Sequence, residues 1–116
     1  MLALTVLILC PRPDARGADD KTPAQSLADG RSGVIHFESL TPSGYFQLAR
    51  KETSRKSVIA GTLSVPPATT GRGPAMVISH GSGGIMEARE LWWADQLTRM
   101  GIAAFVVDSF GPRNVG

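Results

Sequence analysis

The chain has 116 residues, of which 42% are hydrophobic and 6% aromatic, and its formal net charge at pH 7 is +2. This length supports one globular domain with a modest hydrophobic core. A net charge this small gives no reason to expect nucleic-acid binding, and a single cysteine excludes a disulfide within the chain.

Residues 1–33 precede the first predicted strand. Residues 2–10 form a nearly all-apolar run that is too short to span a bilayer, and residues 15–17 (Ala-Arg-Gly) follow it as a candidate cleavage site. We therefore predict a signal peptide over residues 1–17 and a secreted or periplasmic protein. The alternative is a cytoplasmic protein, because no Lys or Arg precedes the apolar run. Residues 18–33 are polar and predict a flexible lead-in.

Two strands, which we expect to form an antiparallel ribbon, are predicted next. They cover residues 34–38 and 57–65, and residues 45–48 predict a short extended piece between them. Residues 50–56 are the one basic cluster. We interpret this cluster as a solvated turn, since Glu52 interrupts it and no aromatic residue lies within it. His36 alternates with apolar neighbours and is interpreted as a histidine on the face of the sheet.

A strand, loop, helix and strand unit covers residues 75–108. Residues 75–79 are a short apolar run after Gly-Pro, and residues 102–107 are apolar without alternation, as in strands buried on both faces of a parallel sheet. Residues 87–100 predict the crossover helix, whose sheet-facing side carries apolar residues at spacings of three: Ala88, Leu91, Ala94 and Leu97. The unit predicts an α/β fold with two parallel strands. We expect at least one residue of the Trp92-Trp93 pair to pack into the core.

The loop between this strand and helix reads His80-Gly81-Ser82-Gly83-Gly84. Such a turn leaves backbone N–H groups unpaired and suits either the diphosphate of a dinucleotide or the oxyanion formed when an ester carbonyl is attacked. Dinucleotide binding requires a glycine at the sixth loop position, which Met86 occupies. Asp108, at the end of the next strand, does lie where a ribose-binding acid is expected. A nucleotide-binding α/β protein therefore remains as an alternative.

From residue 34 to residue 116 the chain resembles the dienelactone hydrolase group of the α/β-hydrolase family. The resemblance depends on the strand that ends at Val65-Pro66, on residues 74–84 and on residues 108–113 (Asp-Ser-Phe-Gly-Pro-Arg). It implies a truncated α/β-hydrolase fold, with antiparallel first strands followed by the parallel unit. The implied activity is hydrolysis of a small-molecule ester or lactone by a Cys or Ser nucleophile, without metal or cofactor.

The resemblance also implies roles for three residues of the loop. The backbone N–H groups of Ser82 and Gly83 would form the oxyanion hole, and His80 would support the loop rather than react.

The family's nucleophile, acid and base are expected outside this chain. No Gly-x-Ser-x-Gly or Gly-x-Cys-x-Gly occurs, and the two histidines, His36 and His80, come too early in the family's order of nucleophile, acid and histidine. We therefore expect the amino-terminal portion of a hydrolase, inactive alone, with no nucleic-acid partner and no stable membrane span. A non-catalytic fragment is the remaining alternative.

Overall fold

The computed structural model describes residues 21–52, 55–67 and 71–115. The predicted signal peptide over residues 1–17 lies outside these residues. The described elements are, in chain order, β1 (Gly33–Thr41), α1 (Tyr45–Ala49), β2 (Arg55–Ser64), β3 (Ala75–Ser79), a π-helical segment (Glu87–Leu91), α2 (Trp92–Arg99), β4 (Ala103–Asp108) and a 3-10 turn (Gly111–Arg113).

Four strands form one mixed sheet in the order β1-β2-β4-β3. β2 is antiparallel to both β1 and β4, whereas β3 is parallel to β4, with Ile78 opposite Val106. The predicted α/β class, the antiparallel first strands and the parallel strand-helix-strand unit are thus confirmed. Within the described residues β3 lies at one edge of the sheet and pairs on one side only.

The core lies between α2 and the sheet. Ala94 and Leu97 of α2 pack against Ala104 and Val106 of β4, and all four residues are buried. Three half-buried apolar side chains extend this cluster, namely those of Ile78, Ile85 and Ile102. The packing holds the carboxyl ends of β3 and β4 side by side, which fixes the two loops that leave them.

The crossover helix is less regular than predicted. Its first turn is π-helical, because the carbonyl of Met86 accepts hydrogen bonds from the N–H groups of residues 89, 90 and 91 at 3.2, 3.1 and 3.5 Å. Ala88 is exposed, whereas Leu91 is 43% exposed and lines a pocket between β2 and α2 together with Ala94. The prediction that Ala88 shares the sheet-facing side with Ala94 is therefore wrong, while Leu91 lies at the partly exposed margin of that side.

The tandem tryptophans do not enter the core. Trp92 and Trp93 are 49% and 54% exposed, and their rings contact each other edge to face with centroids 4.9 Å apart. Ala94 faces the sheet. Because each residue of an α-helix is rotated by about 100°, Trp93 and Trp92 point about 100° and 200° away from the direction of Ala94. The prediction of core packing for one of them is wrong for this reason.

Residues 45–48 form the short helix α1 instead of an extended piece. The backbone N–H of Ser43 donates to the side-chain oxygen of Gln47 over 2.6 Å, which stabilises the helical turn locally. No residue of α1 is buried, so packing contributes little to it. The basic cluster consequently joins a helix to a strand, and its described residues are exposed, as expected of a solvated turn. Lys56 pairs with Glu38 across the β1–β2 ribbon at 3.0 Å.

No helix among the described residues has the length and apolar character required to cross a membrane.

Candidate active site

The candidate site lies where two loops leave the same edge of the sheet. The loop of residues 80–84 follows β3, and residues 109–113 follow β4. Because β3 and β4 are parallel neighbours, their carboxyl ends lie together. This is the edge at which open α/β sheets bind their ligands.

The glycine loop folds as a tight turn over residues 81–84. The N–H of Gly84 donates to the carbonyl of Gly81 over 3.1 Å, and Gly84 has a φ of 74°, which favours glycine. Ser82 and Gly83 occupy the two central positions and are exposed. Within the described part of the chain, neither of their N–H groups donates to a backbone acceptor. Two adjacent donors are therefore available to an external acceptor.

His80 connects the two loops. Its Nδ1 lies 2.7 Å from the carbonyl oxygen of Gly81, and its Nε2 accepts from the N–H of Ser109 over 3.2 Å. A nitrogen that accepts from an N–H carries no proton, so Nδ1 carries it and donates to Gly81. The hydroxyl of Ser109 lies 3.0 Å from the same Nε2. The ring of Phe110 packs edge to face against the imidazole, with centroids 4.5 Å apart.

A side chain of the following helical segment bonds to the carboxyl-terminal end of the loop. Arg89 donates through Nη2 to the carbonyl of Gly84 over 3.3 Å and through Nε to Glu90 over 2.5 Å. Glu90 is only 4% exposed, and its second oxygen accepts from the N–H of Met86 over 2.9 Å. These hydrogen bonds, that from Arg89 first, lower the pKa of Glu90 from its ordinary value. The loop is thus fixed at both ends while its centre is left open.

Asp108 is engaged in the turn that follows β4. One carboxylate oxygen accepts from the N–H groups of Phe110 and Gly111 over 3.0 and 2.9 Å. A Cβ at Gly111 would collide with this carboxylate, so the turn needs glycine there. The Asp108 carboxylate therefore stabilises its own turn, at the position where the nucleotide-binding alternative requires a residue that binds the ribose.

One pocket lies near the site and another lies beneath the helix, and neither includes the amides of Ser82 and Gly83. One, of about 520 Å³, lies near the end of β4 and is lined by six residues: Lys21, His36, Val58, Asp108, Gly111 and Pro112. The other, of about 250 Å³, lies between β2 and α2. Neither is lined by Ser82 or Gly83, both of which are exposed. In the ranges that the structure describes, no group of three or more His, Cys, Asp or Glu residues could hold a metal ion.

Sequence reasoning missed Ser109 as a site residue. It follows β4 directly, and its hydroxyl and N–H both contact His80, which lies 29 residues earlier in the chain. The available signal was a polar residue at the end of the predicted strand beside the glycine loop. His36 takes no part in these contacts and remains a half-buried residue of β1.

Comparisons with family models, with curated proteins and with solved structures give no significant match to this chain.

Proposed function

We propose that this chain forms the amino-terminal part of an ester or lactone hydrolase similar to the dienelactone hydrolase group. In this proposal residues 80–84 form the oxyanion hole, with Ser82 and Gly83 donating through their backbone N–H groups. The family's nucleophile, acid and base would lie in sequence outside this chain. The reaction would use no metal ion and no cofactor.

The observation that carries the proposal is a pair of adjacent, unpaired N–H groups on a turn that is held at both ends. An oxyanion hole works because its donors are already oriented when negative charge develops on the substrate oxygen. His80 anchors the start of the turn through Ser109, and Arg89 anchors its end through the Gly84 carbonyl. A donor fixed in this way needs little reorganisation, and removing one such donor in known hydrolases slows the reaction by about 10²–10³-fold.

The resemblance in sequence supports the same reaction class. The His-Gly pair after β3 and the Asp108–Arg113 segment after β4 lie at one edge of the sheet, as the hydrolase interpretation requires. The free edge of β3 is also where that interpretation places a further strand. The nucleotide-binding alternative has no comparable support, since one Asp108 oxygen already accepts two N–H groups of its own turn.

An NMR titration tests the proposal on the chain itself. Methylphosphonate is a stable tetrahedral anion that resembles the addition intermediate of ester hydrolysis. We expect the amide signals of Ser82 and Gly83 to move downfield and to saturate, because both protons become hydrogen-bonded to an anionic oxygen. The signal of Gly84, whose N–H is already bonded within the turn, should move less.

Two variants and one competing ligand complete this experiment. Ser82→Pro removes one N–H at the second position of a β-turn, where proline is well tolerated, and should weaken the binding. Ser82→Ala is the matched control, because it removes the hydroxyl and keeps the N–H. Saturation by ADP with no response to methylphosphonate would favour the nucleotide-binding alternative and refute the hydrolase proposal.

A further inference from the structure

We propose that Ser109 and His80 form a nucleophile and base pair, and that the Ser109 hydroxyl accepts an acyl group from an activated ester. This inference rests on the proposed function, because the adjacent loop would stabilise the charge that develops during the transfer. It assigns a reactive role to a histidine that the sequence resemblance treats only as a support. It also places a nucleophile in a chain that contains no nucleophile motif.

The contact between the two side chains has the geometry that an activated nucleophile requires. Ser109 Oγ lies 3.0 Å from His80 Nε2, within the range of about 2.6–3.2 Å expected between a nucleophile and its base. Both residues are half-buried, at the edge where the two loops meet. The pair therefore lies beside solvent and beside the candidate oxyanion loop.

The protonation of the imidazole suits the role of a base. The N–H of Ser109, at 3.2 Å, and its hydroxyl, at 3.0 Å, share the one lone pair of Nε2, so Nε2 carries no proton and faces Ser109. On the other side of the ring, Nδ1 donates to the Gly81 carbonyl over 2.7 Å, which fixes this tautomer and the orientation of the ring. A third group that orients the base completes the arrangement found in activated serines and cysteines.

The transfer is balanced without any further reactant. Ser109 Oγ attacks the carbonyl carbon of an aryl ester while its proton passes to His80 Nε2. The carbon–oxygen bond to the aryl group then breaks, and the aryl oxide leaves with the proton that Nε2 received. The products are an acyl ester on Ser109 and one equivalent of the phenol.

We expect the acyl group to persist on Ser109. In the described residues no carboxylate bonds to His80, and the orienting group is the neutral carbonyl of Gly81. A serine triad uses a buried aspartate to stabilise the imidazolium, and its loss in known enzymes slows catalysis by about 10⁴-fold. The pair should therefore show a stoichiometric burst with little turnover.

The test is to incubate the full chain with p-nitrophenyl acetate and to locate the acetyl group by peptide mass spectrometry. We expect one equivalent of nitrophenol in a burst and acetylation of Ser109 well above that of Ser79, an exposed serine at the end of β3. Ser109→Ala keeps the N–H that bonds to His80, so the loop stays anchored, but it should abolish the burst. His80→Gln should slow acetylation at Ser109 at least tenfold. Ser79→Ala and His36→Gln are controls that should leave the burst unchanged.

The outcomes separate this inference from the proposed function. Acetylation spread over lysines and surface serines, without enrichment at Ser109, would overturn the nucleophile and base pair. A Ser109 adduct that forms equally fast in Ser82→Pro and in Ser82→Ala would support the pair and refute the oxyanion role of the loop. Slower acetylation in Ser82→Pro alone would support both.

Discussion

The absence of a side chain at Gly61 allows an aromatic ring to pack directly against this sheet. It lies on β2, and the Phe37 and Phe105 rings approach each other across its strand with centroids 5.7 Å apart. A Cβ at Gly61 would overlap the Phe105 ring. The contact between Phe37 and Phe105 therefore requires glycine at position 61.

We predict that Gly61→Ala lowers the free energy of unfolding by about 1–3 kcal/mol, the usual cost of overpacking. Gly44→Ala is the matched control, because a Cβ at Gly44 meets no atom within 4 Å. Urea denaturation followed by circular dichroism measures both. Equal stability of the two variants would show that the Phe105 ring moves aside freely.

The contact between His80 and Ser109 depends on details of single residues that the sequence pattern does not contain. The sequence placed both residues at the carboxyl ends of adjacent parallel strands, and this placement is confirmed. The hydrogen bonds between them depend on the rotation of the imidazole and on the path of the chain after Asp108. Composition and periodicity predict neither the ring orientation nor this chain path, so Ser109 was not predicted as a partner of the loop.

At the scale of elements, the π-helical start of the crossover helix depends on one buried carboxylate. Glu90 accepts from Met86 and from Arg89, and these bonds lower its pKa from the ordinary value of 4.5. A group whose pKa is lower in the folded state stabilises the fold above its ordinary pKa. Its contribution is lost as the pH falls from about 4.5 through the folded-state pKa.

We therefore predict that the stability of the chain falls with acid in this range, and that Glu90→Gln makes the curve flatter and lowers the stability at neutral pH. Glu87→Gln, at an exposed position of the same turn, is the control. Thermal unfolding from pH 3 to pH 7 measures the effect. Parallel curves for Glu90→Gln and the unsubstituted chain would contradict this account of the helix start.

The elements that the sequence predicted well are those with a strong apolar pattern. Residues 75–79 and the later strand follow from uninterrupted apolar runs bounded by Gly, Pro and Asp. α1 has no such pattern, since it is held by the local bond between Ser43 and Gln47 rather than by burial. The π-helical turn was not predicted, because the apolar spacing of three was interpreted as one regular α-helix over residues 87–100.

At the scale of the whole molecule, β3 is an edge strand of the sheet that the described residues form. It contains no charged residue and no proline, which are the usual means of preventing pairing between edges. Val77 on this strand is 69% exposed. An apolar strand with free N–H and C=O groups is a template for another strand. The sheet order places it where the hydrolase interpretation expects a further strand.

We predict that the chain associates as its concentration rises and that Val77→Lys reduces this association. Val34→Lys is the matched control, since Val34 is also exposed but lies on β1, the other edge strand, where Glu38 already supplies a charge and pairs with Lys56 of β2. Sedimentation velocity over a range of concentrations measures the effect. A monomer at all concentrations, unaffected by either substitution, would contradict the prediction.

In the proposed function, the loop after β3 presents two free donors to a negative charge. Amide hydrogen exchange in this one loop tests it most directly, because Gly84 provides an internal reference for an N–H bonded inside the turn. We predict that Ser82 and Gly83 exchange near the rate of an unprotected peptide while Gly84 exchanges more slowly. Protection of Ser82 and Gly83 equal to that of Gly84 would mean that both donors are already paired, and the loop would then be a tight turn without an oxyanion hole.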